Sequence, residues 1–252
     1  MGQNGTDVAK NAADMILTDD NFVTIVEAVK NGRHIYDNIK KAVHFLLATN
    51  IGEIVAIFFG LLLGWDAPLL AIQLLWINLV TDSFPAIALG MEPINEDIMN
   101  HKPQNSKKSL FSDGLWGKII IEGSMIGILT LLAFSIGNKI GGLIVARTMA
   151  FTSLGILELI HSVNIRTEKS IFEESIFKNM YLVGALLLGI IMQVIVTMVS
   201  SISKLFQVTA LNKIEWLIVL LISITPIILI ELQKKLNELK YGKTFLVKQT
   251  IR

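Results

Sequence analysis

Cysteine is absent from this chain, which excludes disulfides, a thiol nucleophile and thiolate metal sites. Charge is scarce: 17% of the 252 residues are Asp, Glu, Lys or Arg, and they nearly cancel to a net +1. So even a balance creates no strong field of one sign, and nucleic acid is not an expected partner. The opening residues Met1 to Asp7 lack both the basic start and the apolar core of a secretory signal. Any metal site must therefore be built from oxygen or imidazole, and charge must inform through its placement.

Apolar sequence takes the remaining space. Hydrophobic residues make up 52% of the chain and the mean hydropathy is +0.60, far above what a soluble domain of this size needs. The composition reads as a membrane protein with the lipid bilayer as its main partner. Runs of about 20 apolar residues, the length that crosses a bilayer, predict six spans: Val43–Leu63, Leu69–Leu89, Leu115–Gly137, Leu143–Val163, Tyr181–Ser200 and Ile214–Leu232. An even count puts both termini on one side. Eighteen Lys and Arg residues fall on that side and four (Lys139, Arg147, Lys204 and Lys213) on the other. The positive-inside rule then predicts that both ends are cytoplasmic.

Ahead of the first span, Ile25, Val26, Val29, Tyr36, Ile39 and Val43 recur at helical spacing, and Asp19-Asp20-Asn21 supplies an N-cap. This predicts one unbroken helix from Asn21 through Leu63, about 60 Å long at 1.5 Å per residue, whose first half is a stalk outside the membrane. Before it, Thr6–Ala13 reads as helix and Met15-Ile16-Leu17 as a short buried strand. Some 20 residues cannot build a core of their own, so the chain is expected to begin inside a domain whose remainder lies elsewhere.

Two spans carry groups that hydrocarbon does not tolerate. Asn50 and Glu53 stand i,i+3 on the first; Asn78, Thr81 and Asp82 stand i,i+3,i+4 on the second. Each set projects from one helix face, and an intramembrane acid marks a functional site by default. Pro85 has no N–H, so the Thr81 carbonyl loses its helical donor and is freed as a ligand. Carboxylates, amide oxygens and carbonyls suit a hard cation, calcium before zinc or copper. Glu158 and His161, one turn apart on the fourth span, offer a third contribution. The plainer readings are that Glu53 and Asp82 act as polar glue between helices, that Glu158 pairs with His161, and that His161 serves packing or the interface. Glu122 and Glu231, near helix ends, are expected only to snorkel or pair. The cluster Lys102 to Lys108 reads as a topological anchor. Gly52 and Gly60 are expected to permit close helix approach, and Pro226 to kink the last span.

The run Met1-Gly2-Gln3-Asn4-Gly5-Thr6-Asp7 through Ala13-Asp14-Met15-Ile16-Leu17-Thr18-Asp19-Asp20 resembles the end of the phosphorylation domain of P-type ATPases. Asn50-Ile51-Gly52-Glu53 and Trp76-Ile77-Asn78-Leu79-Val80-Thr81-Asp82-Ser83-Phe84-Pro85 resemble the ion-binding helices of the sarco/endoplasmic reticulum-type calcium pumps. The resemblance covers nearly the whole chain, as the carboxyl-terminal third of such a pump. It implies an all-α membrane protein of six transmembrane helices with a long stalk and a short α/β remnant of the phosphorylation domain. It divides the chain into residues 1–20 (end of that haloacid dehalogenase-like domain), 21–42 (stalk), 43–232 (transport domain) and 233–252 (cytoplasmic tail). It implies that Asn50, Glu53, Thr81, Asp82 and Glu158 form one calcium site and that Asn78 with Asp82 belongs to a second; His161 stands where these pumps carry asparagine. ATP and Mg2+ would serve only the intact parent, through the missing amino-terminal part of the same pump. The Asp-Lys-Thr-Gly-Thr, Thr-Gly-Glu and Gly-Asp-Gly-x-Asn-Asp motifs of the family do not occur here, so this chain alone is expected to hydrolyse no ATP. The expected home is a bacterial plasma membrane. A manganese or sodium pump, an ATP-independent six-helix cation-binding protein and an inactive remnant are the alternatives.

Overall fold

A computed structural model describes residues 2–3, 5–100, 110–112 and 114–241. After a short helix α1 (Asp7–Asn11), the long helix α2 runs unbroken over Phe22–Leu62. The Asn21 side chain caps it by accepting from the Val23 amide at 3.0 Å. Residues 15–17 are not a strand: Met15 and Ile16 are about half exposed, and the segment's one cross-chain backbone bond runs from the Gly2 amide to the Leu17 carbonyl at 2.7 Å. A strand needs a ladder of such bonds along its length, and the described residues supply no neighbour to form it. The described residues therefore show no α/β remnant.

The second span is built in three pieces: α3 (Ala71–Trp76), a π-helical turn (Ile77–Thr81) and α4 (Ser83–Gly90). Helix α5 (Leu115–Arg166) has 52 residues, which straight would reach about 78 Å, far beyond a hydrocarbon core of about 30 Å. Gly142 resolves this by reversing the chain, at φ 75° and ψ −169° inside the helix, a conformation that glycine adopts without a Cβ clash. Residues 115–141 and 143–166 become two antiparallel limbs, joined again at their open end by a 3.3 Å ion pair between Lys118 and Glu168. Helices α6 (Met180–Met198), α7 (Ser200–Leu205) and α8 (Lys213–Tyr241) follow. Among the described residues, five helices are long and apolar enough to cross a membrane. Counting both limbs of α5 gives the six spans expected, and the protein is an integral membrane protein. Helix α8 continues through Pro226 to Tyr241, so residues 233–241 are helical. The Lys102 to Lys108 cluster and residues 242–252 lie outside the described residues.

Glycine sets the distance between α2 and the first limb of α5. A Cβ on Gly123 would stand 2.6 Å from the Ala48 carbonyl oxygen, and one on Gly127 would stand 2.6 Å from Val55 Cγ1 and 2.7 Å from the Gly52 carbonyl oxygen. Gly52 answers from α2, where a Cβ would meet Ile126 at 2.8 Å. Gly123 and Gly127 stand in GxxxG spacing, which lets backbones approach in lipid. Beside this seam Ala56, Ile77, Ile126, Phe134, Phe151 and Leu154 form the main core. Gly60 makes room for Pro68 of the following loop rather than for another helix.

At the stalk end, Arg33 donates to the Ile98 carbonyl at 3.2 Å and Asn38 to the Glu92 carbonyl at 3.0 Å. Buried Glu92 lies 2.9 Å from Arg166 Nε and accepts from Asn179 at 2.6 Å. The loop after α4 thus ties the stalk to the ends of α5 and α6.

Gly127→Val should force α2 off α5 and cost about 1–3 kcal/mol. Gly184→Ala on α6, where an added Cβ meets nothing within 4 Å, should be close to neutral. Thermal unfolding of both variants in detergent micelles checks the pair.

Candidate cation site

The π-helical turn follows from the sequence around it. Pro85 cannot donate to the Thr81 carbonyl, and the chain accommodates an extra residue: the Asp82 amide bonds the Ile77 carbonyl, five residues back, at 2.9 Å. The Ser83 hydroxyl covers the Asn78 carbonyl at 3.1 Å, and the ordinary ladder resumes with the Ala86 amide on the Asp82 carbonyl at 3.0 Å. Single π turns inside helices occur frequently at functional sites. Here the turn carries Asn78 and Thr81, with Asp82 following directly.

Three elements bring the acids together. Asp82 and Glu158 are completely buried and Glu53 is 7% exposed. Asn78 on the π turn donates to Glu53 Oε1 at 2.8 Å, bridging to α2. The carboxyl of Glu158, on the second limb of α5, faces that of Asp82, and Glu53 lies near enough to add to the field on both. Thr49 donates to Asp82 Oδ2 at 2.8 Å. Asp82 Oδ1, both carboxyl oxygens of Glu158 and the Thr81 hydroxyl are buried with no hydrogen-bond partner among the described residues. Buried oxygens normally have partners, and carboxylates this close repel unless a cation or a proton stands between them. The arrangement can therefore receive a positive ion.

Of the residues singled out in the sequence, Glu53, Asn78, Thr81, Asp82 and Glu158 gather at this place. Asn50 instead donates to the Leu46 carbonyl of its own helix at 2.6 Å. Among the described residues no three His, Cys, Asp or Glu side chains form a ready metal cage, so hydroxyls, amides and backbone would have to complete any shell. Thr49 joins the gathered residues through its bond to Asp82; the signal for it in the sequence is its i,i+4 spacing from Glu53, which puts both on one face. His161 does not pair with Glu158. It lies 3.3 Å from Glu122, which also lies 2.6 Å from His44. Glu231 pairs as expected, with Lys234 at 3.1 Å.

A profile of the family described as "Cation transporting ATPase, C-terminus" matches residues 66–236, more than half of the chain. The chain belongs to this family. The cation-transporting ATPase carboxyl-terminal region accounts for the stretch from the second span to α8. Relatives include calcium-transporting ATPase 1 of Bacillus cereus, 46% identical across 93% of this chain, and the calcium-transporting ATPase of Bacillus subtilis, 42% identical across 91%. A calcium-transporting ATPase of Listeria monocytogenes is 40% identical across 91%. The chain spans 26–28% of the length of these relatives.

Thr49→Val should remove a hydrogen bond to a buried carboxyl and cost about 1.5–3 kcal/mol, whereas Thr49→Ser should keep most of the stability. Chemical unfolding of both variants in micelles tests the bond.

Proposed function

We propose that this chain is the membrane part of an ATP-driven P-type pump that carries calcium, with Glu53, Asn78, Thr81, Asp82 and Glu158 as ligands and Asn50 joining them when its amide turns from Leu46. The observation that carries the reading is the set of buried, unpartnered oxygens on Asp82, Glu158 and Thr81 beside the π turn. Oxygen-only chemistry suits a hard cation, and calcium takes 6–8 oxygen ligands, so backbone carbonyls, waters or groups outside this chain complete the shell. The names of the relatives in three bacterial species support calcium as the cargo and a bacterial plasma membrane as the location, and the Lys/Arg asymmetry between the two sides supports cytoplasmic termini.

ATP and Mg2+ act outside this chain in this reading. Residues 1–20 close the phosphorylation domain, and α2 transmits its movement to Glu53, which is opposed to Asp82 and Glu158 from other helices. A shift of α2 then changes how many oxygens reach the ion. Such differential affinity between two conformations is what transport requires. The tie from Arg33 and Asn38 to the loop after α4 gives the same movement a second route to the π turn.

In the full-length pump, Asp82→Asn should abolish calcium-dependent phosphorylation by ATP, and Glu158→Gln should weaken calcium activation roughly tenfold or more, about 1.4 kcal/mol. Phosphoenzyme formation unchanged by Asp82→Asn at the same calcium concentration overturns the assignment. Activation by manganese or sodium in place of calcium would keep the pump and change its cargo.

A further inference from the structure

A second group of titratable side chains lies apart from the Asp82 site. Glu122, on the first limb of α5, places Oε2 2.6 Å from His44 Nε2 on α2 and 3.3 Å from His161 Nε2 on the second limb. The His161 side chain is fully buried, and those of His44 and Glu122 are only 11% and 15% exposed. Three helical segments thus each contribute one titratable group to the same carboxylate oxygen.

The geometry favours a proton over a metal ion. Two ligands each about 2.0–2.2 Å from a tetrahedral zinc stand well over 3 Å apart, so the 2.6 Å gap between His44 and Glu122 leaves no place for one. With both imidazoles neutral the cluster carries one uncompensated negative charge on a largely buried carboxylate, which is unfavourable. One added proton makes it neutral, and either imidazole can hold that proton against the shared oxygen. Glu122 Oε2, His44 Nε2 and both ring nitrogens of His161 are buried with no hydrogen-bond partner outside this cluster among the described residues, so the three side chains have only one another to answer the charge.

Surrounding charges do not supply the missing cation. On α2, Lys41 pairs with Asp37 at 3.4 Å, and Lys40 and Lys41 act on Glu168. On α5, Lys118 pairs with Glu168, and Arg166 with Glu92 of the loop after α4. Asp82 of the second span faces Glu158 and Glu53. On α8, Lys234 pairs with Glu231, and the Glu215 side chain accepts from the Asn212 amide. Among the described residues, the ion-pair partners of Glu122 are His44 and His161.

We propose that His44, Glu122 and His161 form a proton-binding site, separate from the metal-cation ligands, in which one shared proton lashes α2 to both limbs of α5. Movement of α2 against the α5 hairpin breaks the lash, so that movement and the proton's residence are thermodynamically linked. The inference does not depend on which metal ion the pump carries.

The test is nitrogen-15 NMR of histidine-labelled full chain in lipid nanodiscs at pH 7, with His34→Gln and His101→Gln leaving only the two imidazoles in question. One imidazolium per chain is expected, and Glu122→Gln should remove it, leaving both rings neutral. In His161→Asn, which keeps the carboxylate, the imidazolium should persist on His44. Two neutral rings in the parent sequence, or an imidazolium that survives Glu122→Gln, overturns the proposal. If Glu122→Gln does not fold, loss of the imidazolium in His161→Asn overturns it in the same way.

Discussion

Asp82 is the constraint around which the membrane bundle is arranged. A carboxyl with no exposure to solvent must have its charge answered inside the protein. Only one of its oxygens is answered, by Thr49, while the other faces Glu158 without a partner. That imbalance is stable only if the neighbouring helices hold still around it. The glycine seam between α2 and α5 and the reversal at Gly142 provide that framework, the first by fixing where Thr49 and Glu53 stand and the second by returning Glu158 to the same depth.

The π turn connects backbone chemistry to this arrangement. A regular helix through residues 77–85 would satisfy its own carbonyls and offer only side chains. The missing donor at Pro85 and the extra residue ahead of Asp82 loosen the ladder where the polar residues are concentrated. The membrane tolerates the irregularity because Asn78 bonds across to α2 and Thr81 is buried, leaving apolar Leu79 as the turn's exposed side chain. The same packing places Glu122 between two imidazoles. The bundle thus holds two buried acidic groups of different character: one rich in open oxygens, the other closed by nitrogen.

The stalk gives these groups a common mechanical connection. Helix α2 carries His44, Thr49 and Glu53 within three turns, and its outer half is fastened to the loop after α4 through Arg33 and Asn38. A displacement of the stalk therefore acts on both buried groups and on the π turn. Glu92 anchors the opposite side of that loop to Arg166 and Asn179, so the ends of α5 and α6 provide the fixed frame.

Much of this was legible in the sequence because it is local. Apolar run lengths gave six spans, and i,i+3 and i,i+4 spacing put Glu53 on one face and Asn78, Thr81 and Asp82 on another, whatever the helices later touched. Pro85 announced a broken ladder, and Asn21 announced where the long helix begins. The short strand at 15–17 failed because pairing is not local and needs a neighbour that the described residues do not provide. Which faces meet was decided only by the tertiary structure. His44 and His161 are 117 positions apart, and nothing in either one's neighbourhood specifies a shared carboxylate on Glu122. Their meeting depends on how closely Gly123 and Gly127 let two backbones approach and on the φ of Gly142, since these fix the register of one helix against another.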